Sequence, residues 1–150
     1  MNTYKLIAKT FAGLEPILAK EIKDIGGFNI DTGRRAVFFE GDLELIYKSN
    51  YFLRTALKIF KEIQSFRFRD VGQFYLKCKN IDWEKHFDVN QNFAVYSTVV
   101  HSREFNNSMF ASLKVKDAIV DYFRQKTGKR PNVDPKNPEI IIKVYINQNN

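Results

Sequence analysis

Several residue types that define whole functional classes are scarce in this chain. Cysteine occurs once, at Cys78, which excludes an internal disulfide framework and suits a reducing cytoplasm. Histidine occurs twice, at His86 and His101. With Cys78 these are too few, and wrongly spaced, for a four-ligand zinc site, so no metal site is expected. No apolar run approaches a membrane span, and Lys5 and Lys9 interrupt the N-terminal region before a signal-peptide core could form. Glycine is sparse, and Gly26-Gly27 has no further glycines to complete a dinucleotide loop. Neither Ser102 nor Ser108 sits in a nucleophile-elbow pattern, and the carboxylates fall in capping or ion-pair contexts. No catalytic residues are therefore assigned.

What is present is aromatic and basic. A hydrophobic fraction of 44% over 150 residues, with 14 Phe, 7 Tyr and 1 Trp, fits packed globular structure and excludes disorder. The net charge of +7 is uneven. Residues 1–66 hold 10 Lys/Arg against 8 Asp/Glu, whereas residues 67–150 hold 14 against 9. Such a bias fits a polyanionic partner, or simply a solubilising surface. Charge alone does not separate these readings.

Patterning places six elements in the first segment. "TYKLIAKTF" reads as a strand. In "LEPILAKEIKDIGG", Leu14, Ile17, Leu18, Ile22 and Ile25 recur at helical spacing, with Pro16 in the first turn and the glycine pair as a stop. "FNIDTGRRAVFFEG" predicts two strands folded about Thr32-Gly33. Asp42 caps a helix whose stripe is Leu43, Ile46, Tyr47 and Leu53, and "TALKIFKEIQSF" returns to strand. The order βαββαβ is that of ferredoxin-like folds. One stretch within it, "GRRAVFFE", is faintly like the basic-aromatic strand of an RNA-recognition motif. Phe38 and Phe39 must point to opposite faces, however, and "KLIAKT" lacks a companion aromatic, so core packing is the favoured role.

The second segment starts near Arg67, and the joint "SFRFRDVG" is aromatic enough that the two parts are expected to pack together. Asp70 and Gln73 predict a capping box, with Val71, Phe74, Tyr75 and Cys78 on one helical face. "IDWEKHF" predicts a short helical turn anchored by Trp83 and Phe87. "FAVYSTVV", a polar loop "HSREFNNS", a long helix and "EIIIKVYI" follow, the order of a parallel β-α-β crossover.

The long helix carries the candidate binding residues. At 100° per residue, Ala111, Val115, Ala118, Ile119, Tyr122 and Phe123 share one side, and Met109, Leu113 and Val120 widen it. Lys116 falls inside this apolar arc. Its stem can cover apolar surface while the ammonium reaches water, or the ammonium can face a groove that accepts phosphate. Lys129 and Arg130 follow the stop at Gly128 and are stiffened by Pro131. One of these cations is accounted for by the negative helix end. At the entrance, His101, Ser102 and Arg103 supply donors suited to phosphate oxygens.

The runs "GLEPILAKEIKDIG", "AVFFEGDLELIYKSNYFLRTA", "IDWEKHF" and "SLKVKDAIVDYFRQKTGKRPNVDPKNPEI" resemble, in order, the N-terminal region of bacterial THUMP-containing 23S rRNA guanine-N2 methyltransferases. Relatives of that family often carry the label adenine-specific DNA methylase. The resemblance implies an α+β chain with a ferredoxin-like subdomain over 1–66, packed on a THUMP RNA-binding domain over 67–150. It implies RNA, 23S rRNA in particular, as partner, with contacts at His101, Ser102, Arg103, Lys114, Lys116, Lys129 and Arg130. Family members continue through another THUMP strand into a catalytic domain that uses S-adenosylmethionine. The chain is thus expected to be a cytoplasmic fragment that holds no cofactor and does not itself methylate. An absent last strand would leave a sheet edge able to pair with another copy. The alternative is a protein-interaction or regulatory domain without a nucleic-acid ligand.

Overall fold

A computed structural model describes residues 2–150. The chain divides into two compact units, Met1–Ile63 and Gln64–Asn150. Phe66 goes with the second unit, its ring packing 6.0 Å from Phe74 beside that unit's aromatic core.

The first unit runs β1 (Tyr4–Lys9), α1 (Glu15–Asp24), β2 (Phe28–Gly33), β3 (Ala36–Gly41), α2 (Leu43–Phe52) and β4 (Lys58–Lys61). The strands form one antiparallel sheet in the order β2-β3-β1-β4. Alternation sends Leu6 and Ala8 of β1, and Val37 and Phe39 of β3, to one face, where Leu18 and Ile22 of α1 and Leu45 of α2 cover them. The helix α1 starts without a side-chain cap. Instead, the Glu15 carboxylate accepts from the backbone N–H of Gly13 at 2.7 Å and of Arg35 at 2.9 Å, tying the helix start to the β2–β3 turn. A hydrogen bond from Glu15's own backbone N–H, then those from Arg35 and Gly13, hold the Glu15 carboxyl below the usual carboxylate range.

Three local expectations are corrected here. The β2–β3 hairpin turns at Arg34-Arg35, with Arg35 at φ 56°, and Thr32 and Gly33 remain in the strand. Ile17 of α1 is exposed although it fits the helical stripe. In α2 the buried positions are Leu45 and Ser49, while Leu43 and Tyr47 face solvent. The cap is as expected, with Asp42 Oδ1 accepting from Leu45 N at 2.8 Å. That cap starts the helix at Leu43, and the sheet then selects the Leu45 side.

The second unit contains α3 (Val71–Lys79), a 3-10 turn (Trp83–Lys85), β5 (Phe93–Val100), α4 (Ser108–Thr127) and β6 (Ile140–Asn147). Strands β5 and β6 pair in parallel from Phe93↔Ile140 to Val100↔Asn147, with α4 as the connection between them. One flank of α4 packs on β5 and another on α3, where Tyr75 Oη donates to Asp121. This double cover explains why Ala111, Val115, Ala118, Ile119, Val120, Tyr122 and Phe123 are all buried. Met109 and Leu113, assigned to the same arc, are exposed, because the cover does not reach the solvent side of the first two turns.

The capping box of α3 is modified. Asp70 Oδ1 accepts from Gln73 N at 2.7 Å, but Gln73 Oε1 accepts from Arg69 N rather than from Asp70. The "polar" loop before α4 contains a core residue, Phe105, which is 1% exposed and lies 4.8 Å from Phe74 and 5.7 Å from Phe68, ring to ring. Trp83 Nε1 donates to Cys78 O at 2.9 Å, anchoring the short turn as expected.

Candidate nucleic-acid interface

The entrance to α4 is built by two short-range devices. His101 adopts a left-handed backbone, φ 53°, which turns the chain out of β5. Ser102 Oγ then accepts from Phe105 N at 3.2 Å and donates to Asn149 Oδ1 at 3.1 Å. Ser102 therefore holds the loop against the turn that follows β6. The helix cap is Asn107, whose Oδ1 accepts from Phe110 N at 2.8 Å. His101 and Arg103 are exposed beside this loop.

At the exit, Gly128 takes φ 71°, the left-handed cap that a Cβ would strain, and its N–H donates to Arg124 O at 3.0 Å. Pro131 is buried just beyond, so the intervening Lys129 and Arg130 are presented outward from an anchored turn. Both are exposed, and neither forms an ion pair among the described residues. Lys126 and Lys85, by contrast, pair with Glu84 at 4.0 Å and Asp82 at 3.2 Å.

Between the ends lie the two helix lysines. The ammonium of Lys114 sits 5.6 Å from the Phe110 ring centroid, within cation–π range. Lys116 is partly covered, with its Nζ 3.6 Å from Asp117 Oδ1. It lines a groove of about 440 Å³ formed by the early turns of α4, by β5 residues including Tyr96 and Ser97, and by Val133 and Pro135. Its side chain thus lines a largely apolar groove wall, with the ammonium beside a carboxylate. Tyr96 and the Val133–Pro135 connector had no local signal in the sequence. They reach the groove through tertiary pairing: Phe93 bridges Val133, and Tyr96 Oη donates to Pro135 O at 3.0 Å.

The structure does not bring all the candidate residues into one concavity. A helix of 20 residues rises about 30 Å, and it separates the loop of His101 and Arg103 from the turn of Lys129 and Arg130. The cations mark an extended track, comparable to about nine nucleotides of a duplex strand at ~3.4 Å each. Lys114 and Lys116, two residues apart, project to different sides of the helix.

The polar groups around the track are set for structure and charge. Burial pushes the Cys78 thiol up to about 12, which keeps it protonated and unreactive. The hydrogen bond to Asp121, together with burial, raises Tyr75 to about 12. The hydrogen bond from Tyr122, then that from Lys85, lowers the Asp82 carboxyl. Among the described residues, no group of three or more His, Cys, Asp or Glu could hold a metal ion. No helix among them is long and apolar enough to cross a membrane. The geometry thus defines a class: a two-unit α+β protein whose second unit displays exposed cations without ion pairs among the described residues, Lys129 and Arg130, just past the end of a covered helix.

Comparison with known proteins makes this specific. The THUMP domain model matches residues 68–150 and the RlmL ferredoxin-like domain model matches residues 5–60. The chain belongs to the THUMP domain family, with the ferredoxin-like domain preceding it. Relatives named ribosomal RNA large subunit methyltransferase K/L are 39% identical in Psychromonas ingrahamii, over 87% of this chain and 17% of that protein, and 35% identical in Colwellia psychrerythraea, over 99% and 21%. The chain therefore spans about a fifth of the length of these relatives. A solved structure from Listeria monocytogenes, titled a predicted N6-adenine-specific DNA methylase, matches with TM-score 0.81 and 26% identity over 97% of this chain and 38% of that one. A 4-thiouridine synthetase solved with RNA shares the fold, at TM-score 0.62 and 13% identity, over 96% of this chain and 38% of that one.

Proposed function

We propose that the chain is the RNA-binding, substrate-recognition module of an S-adenosylmethionine-dependent rRNA methyltransferase. The observation that carries this reading is the pair of exposed, unpaired cations Lys129 and Arg130 on an anchored turn of a THUMP domain. His101 and Arg103 at the far end of α4 extend the positive track. Of the two helix lysines, which project to different sides, Lys114 is the candidate between the two ends, because Lys116 pairs with Asp117. Ser102 acts on it indirectly, by fixing the loop that presents its neighbours. The track neutralises phosphates and releases counterions, so it recognises backbone and shape more than sequence. The relatives' name points to large-subunit rRNA as the substrate, and the exocyclic amine of a guanine in 23S rRNA is the target we assign. In this reading the methyl donor binds a catalytic domain outside this chain, and the protein acts on rRNA in the cytoplasm.

The test is Lys129→Ala/Arg130→Ala, measured by fluorescence anisotropy with an rRNA fragment across a salt series. Both side chains are exposed, so the circular dichroism spectrum should not change. Affinity should fall, and the slope of log K against log salt should flatten by roughly 1.4 to 1.8 for two lost phosphate contacts. An unchanged affinity and slope would reject the assignment. Tyr47 and Tyr51, exposed on α2, favour a second reading, a protein-interaction domain, for that surface alone.

A further inference from the structure

The first unit's sheet has one face packed under α1 and α2 and one face that neither of that unit's helices covers. Side chains on the bare face follow from the register. Its central row runs Asp31–Phe38–Ile7–Phe60 across β2, β3, β1 and β4. The next row toward the hairpin turn pairs Ala36, Lys9 and Lys58. Phe38 is 43% exposed, and Phe28, two rungs away on β2, is 47% exposed. A Cβ at Gly33 would meet Phe38 Cε2 at 2.7 Å, so the ring lies over that glycine and leans toward the Lys9 end.

The charges on this face are arranged unequally. Lys5 stands opposite Glu40, a complementary cross-strand pair. Lys9 stands opposite Lys58, two like charges in register, which a sheet disfavours unless something else neutralises them. Among the described residues no carboxylate pairs with either ammonium. The exposed Phe38 ring, with the half-buried Phe60 in the same row, beside an uncompensated cation pair matches what an unstacked nucleotide offers, a π-face and a phosphate. The companion aromatic that β1 lacks is supplied from β4 by Phe60, which the sheet order brings beside Ile7.

We propose that the bare sheet face of the first unit is a second RNA surface. In this reading Phe38 and Phe60 stack unpaired bases of a single-stranded segment, and Lys9 and Lys58 hold its phosphates. The proposal rests on the reading of the chain as an RNA-binding module, and it adds single-strand selectivity that the cation track of α4 does not supply.

The experiment uses the whole 150-residue chain with a fluorescein-labelled oligouridine of about eight nucleotides and an RNA duplex of equal length. Phe38→Ala should weaken oligouridine binding roughly ten- to hundredfold and leave duplex binding nearly unchanged, while Phe38→Tyr restores it. Lys9→Gln/Lys58→Gln should flatten the single-strand salt slope by about 1.4. Wild-type binding of oligouridine by Phe38→Ala would overturn the proposal while leaving the module reading intact. A chain that binds neither RNA overturns the module reading itself. A sedimentation shift of the RNA-free Phe38→Ala chain, without an affinity change, would assign the face to a protein contact and also overturn the proposal.

Discussion

The two units spend their apolar side chains differently. Seven buried residues form the first unit's core, which lies between one side of a four-stranded sheet and two helices of ten residues each. Seventeen form the second unit's core, although its sheet has only two strands. The first unit leaves Phe28, Phe38, Tyr47, Tyr51 and Phe52 exposed. The second draws even a loop phenylalanine, Phe105, into a cluster with Phe68 and Phe74. A small sheet with helices on one side cannot cover its own surface, so rings remain available for ligands or partners. A long helix covered on two sides concentrates burial in its middle and leaves charge past its exit, with Met109 and Leu113 exposed at its start.

The largest expected effect separates these cores. Phe105→Ala should destabilise the second unit by about 3–5 kcal/mol. Trp83, the single tryptophan, lies in that unit and is 2% exposed, so its fluorescence in a urea titration reports the second unit alone. If the Trp83 transition stays put, Phe105 is not the core residue described here.

Caps come next, and there the units should behave alike. Asp42→Ala in the first and Asn107→Ala in the second each remove an acceptor for one backbone N–H, at a cost of about 1 kcal/mol. Thermal melts would show whether either is silent. The smallest effect belongs to Ser49, which is 1% exposed and whose hydroxyl has no hydrogen-bond partner among the described residues. Ser49→Ala should be neutral or stabilising by up to ~1 kcal/mol, because it removes a buried polar atom without breaking a bond. A loss of stability on that substitution would reveal a bond to the hydroxyl and enlarge the first unit's small set of specific contacts.

Much of this architecture was legible in the residues. Asp42, Asp70, Pro16 and Gly128 announced helix ends by chemistry that acts within four residues. The alternation in "FAVYSTVV" and "EIIIKVYI" announced strands. The candidate cations were legible as cations, but their separation along α4 was a matter of helix rise. Lys116 was legible as an exception on an apolar face, yet its groove needed Tyr96 and Pro135, which are remote in sequence.

Other features were decided only when the elements met. Tyr47 and Leu43 fit a helical stripe as well as Leu45 does, and the sheet beneath α2 chose Leu45. Phe38 and Phe39 are equivalent by composition; the placement of both helices on one side of the sheet buried Phe39 and exposed Phe38. The pairing of Lys9 with Lys58, and of Phe60 with Ile7, depends on β4 joining β1 across some fifty residues of chain. Local periodicity, capping and charge were determined by the sequence itself, because they depend on neighbours a few bonds away. Which face became core and which became surface was decided by tertiary packing, because burial depends on the element that arrives to cover it.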